Sequence, residues 1–122
     1  MMNQLFESLL EAYANWLSRQ SEAFRGAVLQ HEFQWEVAPS TRKIRVYGRV
    51  WEWCANLFQP YQDYLPYEYN EGRTLDFDDG LFNLRGACLH TQRALKRPCF
   101  HNRAGAGELF LFCGVRLVFP PE

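Results

Sequence analysis

The sequence predicts a small α+β domain, and three observations carry that prediction. One strongly amphipathic helix stands near the start, short alternating apolar segments separated by turns follow it, and 122 residues with 48% hydrophobic content suffice for one core. Residues 1–122 are read as a single domain, with no internal repeat, low-complexity tract or linker.

The helix is expected over residues 3–24. Leu5, Phe6, Leu9, Leu10, Tyr13, Trp16 and Leu17 recur at steps of three and four, which gathers them on one stripe, and Asn3 is the expected N-cap. Arg25 and Gly26 break the pattern. Residues 28–38 read two ways: Phe33, Trp35 and Val37 alternate as in a strand, whereas Val28, Leu29 and Phe33 also suit a helix. "APSTRK" (38–43) reads as a turn, and "KIRVYGRVWEW" (43–53) as a strand with β-branched alternation and a bend at Gly48. Residues 60–80 lack any period and are rich in tyrosine, proline and aspartate, so they predict a long, packed, aromatic loop. Short strands are expected at 81–84 and 99–101, and a last one at 109–118 after the turn "RAGAG" (103–107).

Charge and composition exclude some classes of function. With 13 basic against 14 acidic side chains, no global field attracts nucleic acid or an anionic membrane. The start lacks a basic segment followed by a pure apolar run, and no stretch reaches the roughly 18 to 20 apolar residues that span a bilayer, so a cytoplasmic protein is expected. In that compartment Cys54, Cys88, Cys99 and Cys113 are expected as reduced thiols with packing roles. "RALKR" (93–97) clusters three positive charges and reads as a solvated surface; "DFDDG" (76–80) lacks the ligand alternation of a calcium loop and reads as a turn.

One pattern points to metal chemistry. Cysteine precedes histidine by two residues at Cys88/His90 and again at Cys99/His101. On two adjacent strands, both members of each pair would share a face, and the four would form a tetrahedral site for zinc or copper(I). The spacing is looser than in most zinc sites, which favours ordinary packing residues and no cofactor.

"GRVWEWCANLF" (48–58) resembles the "GNVWEW" signature of the formylglycine-generating enzyme-like (sulfatase-modifying factor) superfamily, whose core is a variant of the C-type lectin fold. "NLRGACLHTQRALKRPCFHNRAGAGELFLFCGVRL" is similar to that family's closing block, in which "LRGGS" leads to "R-P-x-[FY]-R-N" and ends in "GFRL" or "GVRL". "AYANWLSRQSEAFR" resembles its first helix, and "HEFQWEVA" stands where its "EAEWE" helix belongs. "FQPYQDYLPYEY" resembles a loop of the ergothioneine-type sulfoxide synthases, which makes their C-terminal lectin-like domain the nearest branch.

The resemblance implies a fold with an N-terminal helix, short antiparallel strands and long loops, and it favours a helix over a hairpin at residues 28–38. It also implies lost chemistry. Thr91 and Lys96 stand where the formylglycine-generating branch has its copper cysteines, and Ala104 and Glu108 stand where the sulfoxide synthases grip their thiol substrate with aspartate and arginine. The iron-binding histidines of those synthases belong to another domain, and a segment of several dozen residues between "HEFQWEVA" and "YGRVWEW" is reduced to "PSTRKIRV".

The expected function is therefore a non-catalytic binding or assembly module. The shortening should leave apolar surface that a homo-oligomer, a dimer above all, or another protein partner would cover. The alternative is the substrate-binding half of a split iron-dependent sulfoxide synthase or oxidoreductase, its iron supplied by a partner. Tyr67, Tyr69, Asn102 and Arg103 would then bind ligand, with Tyr67 or Tyr69 placed to donate a proton. A second alternative is a metal-binding protein using Cys88, His90, Cys99 and His101.

Overall fold

The computed structural model describes residues 2–64, 80–105 and 112–119, with side chains from residue 9 onward. These residues form a small α+β unit. In chain order they give α1 (Met2–Ser18), a 3₁₀ turn (Glu22–Phe24), β1 (Val28–Leu29), α2 (Glu32–Ser40), β2 (Trp51–Leu57), β3 (Phe82–Arg85), a second 3₁₀ turn (Arg93–Leu95), β4 (Asn102–Ala104), β5 (Cys113–Val115) and β6 (Leu117–Val118). No helix among the described residues is long and apolar enough to cross a membrane.

The first helix forms where its apolar period predicts but is shorter than expected. Its backbone is already helical at Met2, so Asn3 lies inside it and is not its cap. It stops at Ser18, whose hydroxyl donates to the Asn15 carbonyl, while the Gln20 amide donates to that of Trp16. Those side chains cap the last turn together with the Arg19 amide, which also donates to the Trp16 carbonyl, and the chain leaves the helix six residues early.

The helix reading of residues 28–38 holds from Glu32 onward, and the strand reading of Phe33, Trp35 and Val37, with its hairpin to residues 43–50, does not. Val28 and Leu29 form a two-residue strand paired antiparallel with Leu117 and Val118. The helix begins after them because His31 caps it: its Nδ1 accepts from the Phe33 amide, and Gln34 Oε1 accepts from the His31 amide. "APSTRK" is not wholly a turn, since α2 runs through Pro39 to Ser40, where the Ser40 and Thr41 hydroxyls donate to the Val37 carbonyl. The predicted strand over 43–53 starts only at Trp51. Residues 43–50 find no partner strand, and Gly48 turns the backbone at φ 86°.

The larger sheet has the order β4-β3-β2-β5, with β2 antiparallel to β3 and parallel to β5. Its centre is buried on both faces, and the two faces differ. Trp51, Trp53, Phe82, Leu84 and Ala104 alternate onto one of them and form the apolar core with Ala87 and Cys88, joined at its edge by Leu10 and Phe100. Glu52 lies opposite Arg85 in register, on the other face, under α2. Trp51 and Trp53 thus share one face of β2, and Glu52 between them takes the other. The strand predicted at 99–101 is displaced to Asn102–Ala104, since Cys99 lies in a turn; the last strand breaks at Arg116, and residues 109–111 lie outside the described residues.

The turn after β3 requires small residues. Gly86 sits at φ 97°, and a Cβ there would come within 3.2 Å of Glu52 Oε2 and 3.4 Å of the Trp35 ring. The next residue, Ala87, is also left-handed, at φ 66°. The bend thereby brings α2 close enough to lay Trp35 over the polar face of the sheet.

Leu84 has 0% exposure at the centre of the apolar face. Leu84→Ala is expected to lower the unfolding free energy by about 2 to 5 kcal/mol, read from urea denaturation, with no change in slope if the fold persists.

Candidate functional site

The polar face of the sheet carries an unusual load for a buried surface. Arg85 is fully buried with its guanidinium 5.4 Å from the centre of the Trp35 ring. Its Nη2 donates to Glu36 Oε2 at 2.6 Å, and its Nη1 lies 3.9 Å from Glu32 Oε2. Beside it, Arg116 Nε donates to Glu52 Oε1 at 2.6 Å, Gln30 Nε2 reaches the same oxygen at 3.4 Å, and Arg116 Nη2 ties the Val46 carbonyl at 2.8 Å. Three carboxylates thus share two guanidinium groups.

Glu32 is the most constrained of the three. As the first residue of α2 it donates its backbone N–H to Asn56 Oδ1 at 2.9 Å, and Asn56 Nδ2 donates to Glu32 Oε1 at 3.0 Å. Asn56 reaches across because the β2–β3 register shifts between Trp53 and Leu57, a bulge that re-aims the strand. The remaining oxygen, Oε2, is buried and lies 2.9 Å from His101 Nδ1. That oxygen accepts no aligned hydrogen bond, so its hold on the ring is one of charge, and a proton on Nδ1, facing the carboxylate, leaves Nε2 as an acceptor. Tyr61 meets it there, its hydroxyl 2.5 Å from Nε2. Carboxylate, imidazole and phenol therefore stand in contact from the interior to the surface, with the phenol hydrogen-bonded to the ring and the ring set against the carboxylate.

Burial is the main reason that the His101 imidazole titrates below its ordinary value; the Arg85 charge adds to this, while Glu32 and Glu36 pull the other way. The ring is thus neutral near pH 7. Burial likewise pushes the Tyr61 phenol up, reinforced by the charges of Glu32 and Glu36, so it keeps its proton and donates it.

Tyr61 stands beside an open cleft of about 320 Å³ between the start of α2 and residues 59–62. Phe33 stacks at a tilt against Tyr61, with ring centres 5.8 Å apart, and His31 lies 4.7 Å from Phe33.

The C-x-H pairs are not brought together as the metal-binding alternative required. Neither lies on a strand, so the shared-face argument has no basis: Cys88 follows the Gly86–Ala87 bend, His90 packs on Phe112, Cys99 is exposed in a turn, and His101 belongs to Glu32 and Tyr61. No group of three or more His, Cys, Asp or Glu among the described residues is placed to hold a metal ion. Cys88 is buried, and the Thr91 hydroxyl 3.4 Å from its sulfur is the main cause holding its thiol below the ordinary value. Burial pushes the Cys54 thiol up to about 12, which leaves it inert. Asn102 and Arg103 sit on β4; the Asn102 side chain accepts from the Arg103 amide, and the Arg103 guanidinium covers the Phe58 ring at 5.4 Å. Tyr67 and Tyr69 lie outside the described residues.

His101, grouped in the sequence with Cys88, His90 and Cys99, stands in the structure beside Glu32 and Tyr61, and Glu32, Asn56 and Tyr61 were not foreseen as a site. A signal existed. Glu32, Trp35 and Glu36 occupy one helical turn, a spacing that offers two carboxylates and a ring to a single cation, and Arg85 stands on the neighbouring strand.

The fold and site together define a small α+β domain with a mixed sheet and a charged layer between that sheet and its covering helix. A scan against protein-family models and a search of curated proteins find no match for the chain.

Two measurements follow from this geometry. Arg85→Ala leaves Glu36 and Glu32 without their buried cation and is expected to cost about 3 kcal/mol in urea unfolding, the low end for a broken buried pair because Glu36 keeps 40% of its side chain exposed. For His101, the folded value lies below the unfolded one of about 6.5, so its contribution to stability is present above that pH and is lost as pH falls through the lowered value. The unfolding midpoint should drop between pH 7.5 and pH 5, in the range about the imidazole, and the drop should shrink in His101→Gln.

Proposed function

We propose that this chain is a binding and assembly module built on a shortened formylglycine-generating enzyme-like domain of the C-type-lectin type, and that it works as a homo-oligomer. Contacts between the motif segments support the family reading. Arg85 of the "LRG" segment meets Glu32 and Glu36 of "HEFQWE", and Glu52 of "WEW" meets Arg116 of "GVRL". Four segments separated in sequence meet pairwise through ions of opposite charge.

The observation that carries the assembly reading is the state of the shortened connection. Around it Val37, Val46, Tyr47 and Val50 are exposed at 54, 59, 43 and 39%. Isolated apolar side chains are ordinary on a surface, but four around one short connection form the sort of patch that a partner covers. Outer-face residues of α1 add a second apolar stripe, Leu9, Tyr13 and Trp16, on the side of the helix away from Leu10 and Ala14. A second copy is the simplest cover, because a two-fold axis lets one apolar patch bury itself.

Size-exclusion chromatography with light scattering at tens of micromolar, a concentration of roughly ten times a micromolar dissociation constant, is expected to give a multiple of 14.4 kDa. Val37→Asp/Val46→Asp, which changes exposed side chains only, should return the chain to 14.4 kDa. A wild-type chain that elutes solely at 14.4 kDa refutes the assembly reading.

A further inference from the structure

The chain Glu32–His101–Tyr61 does more than fill space, and it goes beyond the assembly reading because it concerns another surface. A structural buried carboxylate needs a partner, which Asn56 and Arg85 already supply. The arrangement adds an imidazole oriented through Nδ1 and a phenol hydrogen-bonded to Nε2, with the phenol at the mouth of a cleft. A nucleophile within hydrogen-bond reach of a base, itself oriented by a third group, is the geometry by which enzymes activate weak hydroxyl nucleophiles.

We infer that Tyr61 is a general-base-assisted phenol nucleophile for acyl transfer from neutral carboxylic esters bound in the cleft. The lining sets the substrate class. Phe33, Pro60 and Tyr61 give it apolar and aromatic wall, while Asn56, Gln59 and Gln62 supply uncharged amides. Among the described residues no lysine or arginine lines it, His31 is the one basic side chain there, and Glu32 stands at its base, so phosphates and carboxylates are poor occupants and uncharged esters fit.

The step balances without a further cofactor. Tyr61 Oη bonds to the ester carbonyl carbon as its proton passes to His101 Nε2, and the imidazolium formed faces the Glu32 carboxylate. Collapse of the tetrahedral intermediate breaks the bond to the leaving alkoxide, which takes the proton from Nε2 and departs as the alcohol. Water repeats the sequence on the tyrosyl ester, returns the phenol and releases the acid. Nothing is oxidised or reduced.

The test uses the full chain with 4-nitrophenyl acetate, following nitrophenol release and locating the acetyl group by peptide mass spectrometry. Acetyl is expected on Tyr61, with labelling at least ten-fold slower in His101→Gln and absent in Tyr61→Phe, which keeps the ring contacts to Phe33 and His101 and so should remain folded by circular dichroism. The pH profile gives a readout independent of any variant. The imidazole is faced by Glu32 and Glu36 of α2, Arg85 of β3 and the Tyr61 phenol. A base-assisted phenol should label at a rate that levels off above the imidazole titration, below about 6.5, whereas a free phenol gains ten-fold per unit up to about 10. A rate still climbing at pH 9, above the roughly 6.5 of an imidazole, an unlabelled Tyr61, or equal labelling in a folded His101→Gln would each overturn the assignment.

Discussion

The structure depends on one buried cation. Arg85 stands in the middle of the sheet with no exposed surface, and its charge is tolerable only because α2 delivers Glu36 and Glu32 to it and lays Trp35 over its plane. Desolvating a guanidinium costs several kcal/mol, so a helix without those carboxylates would not seat there. This fixes the rotation of α2 about its axis more tightly than apolar packing would, since α2 buries only Trp35 and Glu32 along its length. Two donors of Arg85 still lack a hydrogen-bond partner, which marks the layer as a device of specificity rather than of maximal stability.

The same constraint builds the surface site. Once Arg85 and Asn56 hold Glu32, its second oxygen points at the chain just before β4, where His101 enters. The imidazole carries that buried charge outward to Tyr61, a residue from a segment with no regular structure. An exposed tyrosine thereby senses a carboxylate that water does not reach. Its position rests on three elements, α2, β2 and the start of β4, so its geometry is that of the scaffold and not of the loop that bears it.

Much of this was legible in the residues, and the part that was not has a physical reason. Trp51, Glu52 and Trp53 announce their faces because strand periodicity is two and the apolar and charged side chains alternate without a break. The helix over α1 was legible for a similar reason. The end of α1, the start of α2 and the late start of β2 were not, because each is decided by a single side-chain hydrogen bond or by the lack of a partner strand, neither of which has a period. The strand premise behind the C-x-H pairs does not hold: a tight left-handed bend at Gly86 and Ala87 carries Cys88 out of the sheet before its spacing to His90 acquires a meaning.

The parallel pairing of β2 with β5, together with the β1–β6 ribbon, has a consequence in time. Trp51, Glu52 and Trp53 complete their ladder only with Cys113, Gly114 and Val115, about half the chain further on, and β1 waits longer still for Leu117 and Val118. Closing such distant loops is entropically slow, so on the ribosome the central strand stays half-paired until Cys113–Val115 emerges. During that interval the edge of β2 is an open template, and the two inward tryptophans next to it are the groups most in need of a chaperone's cover.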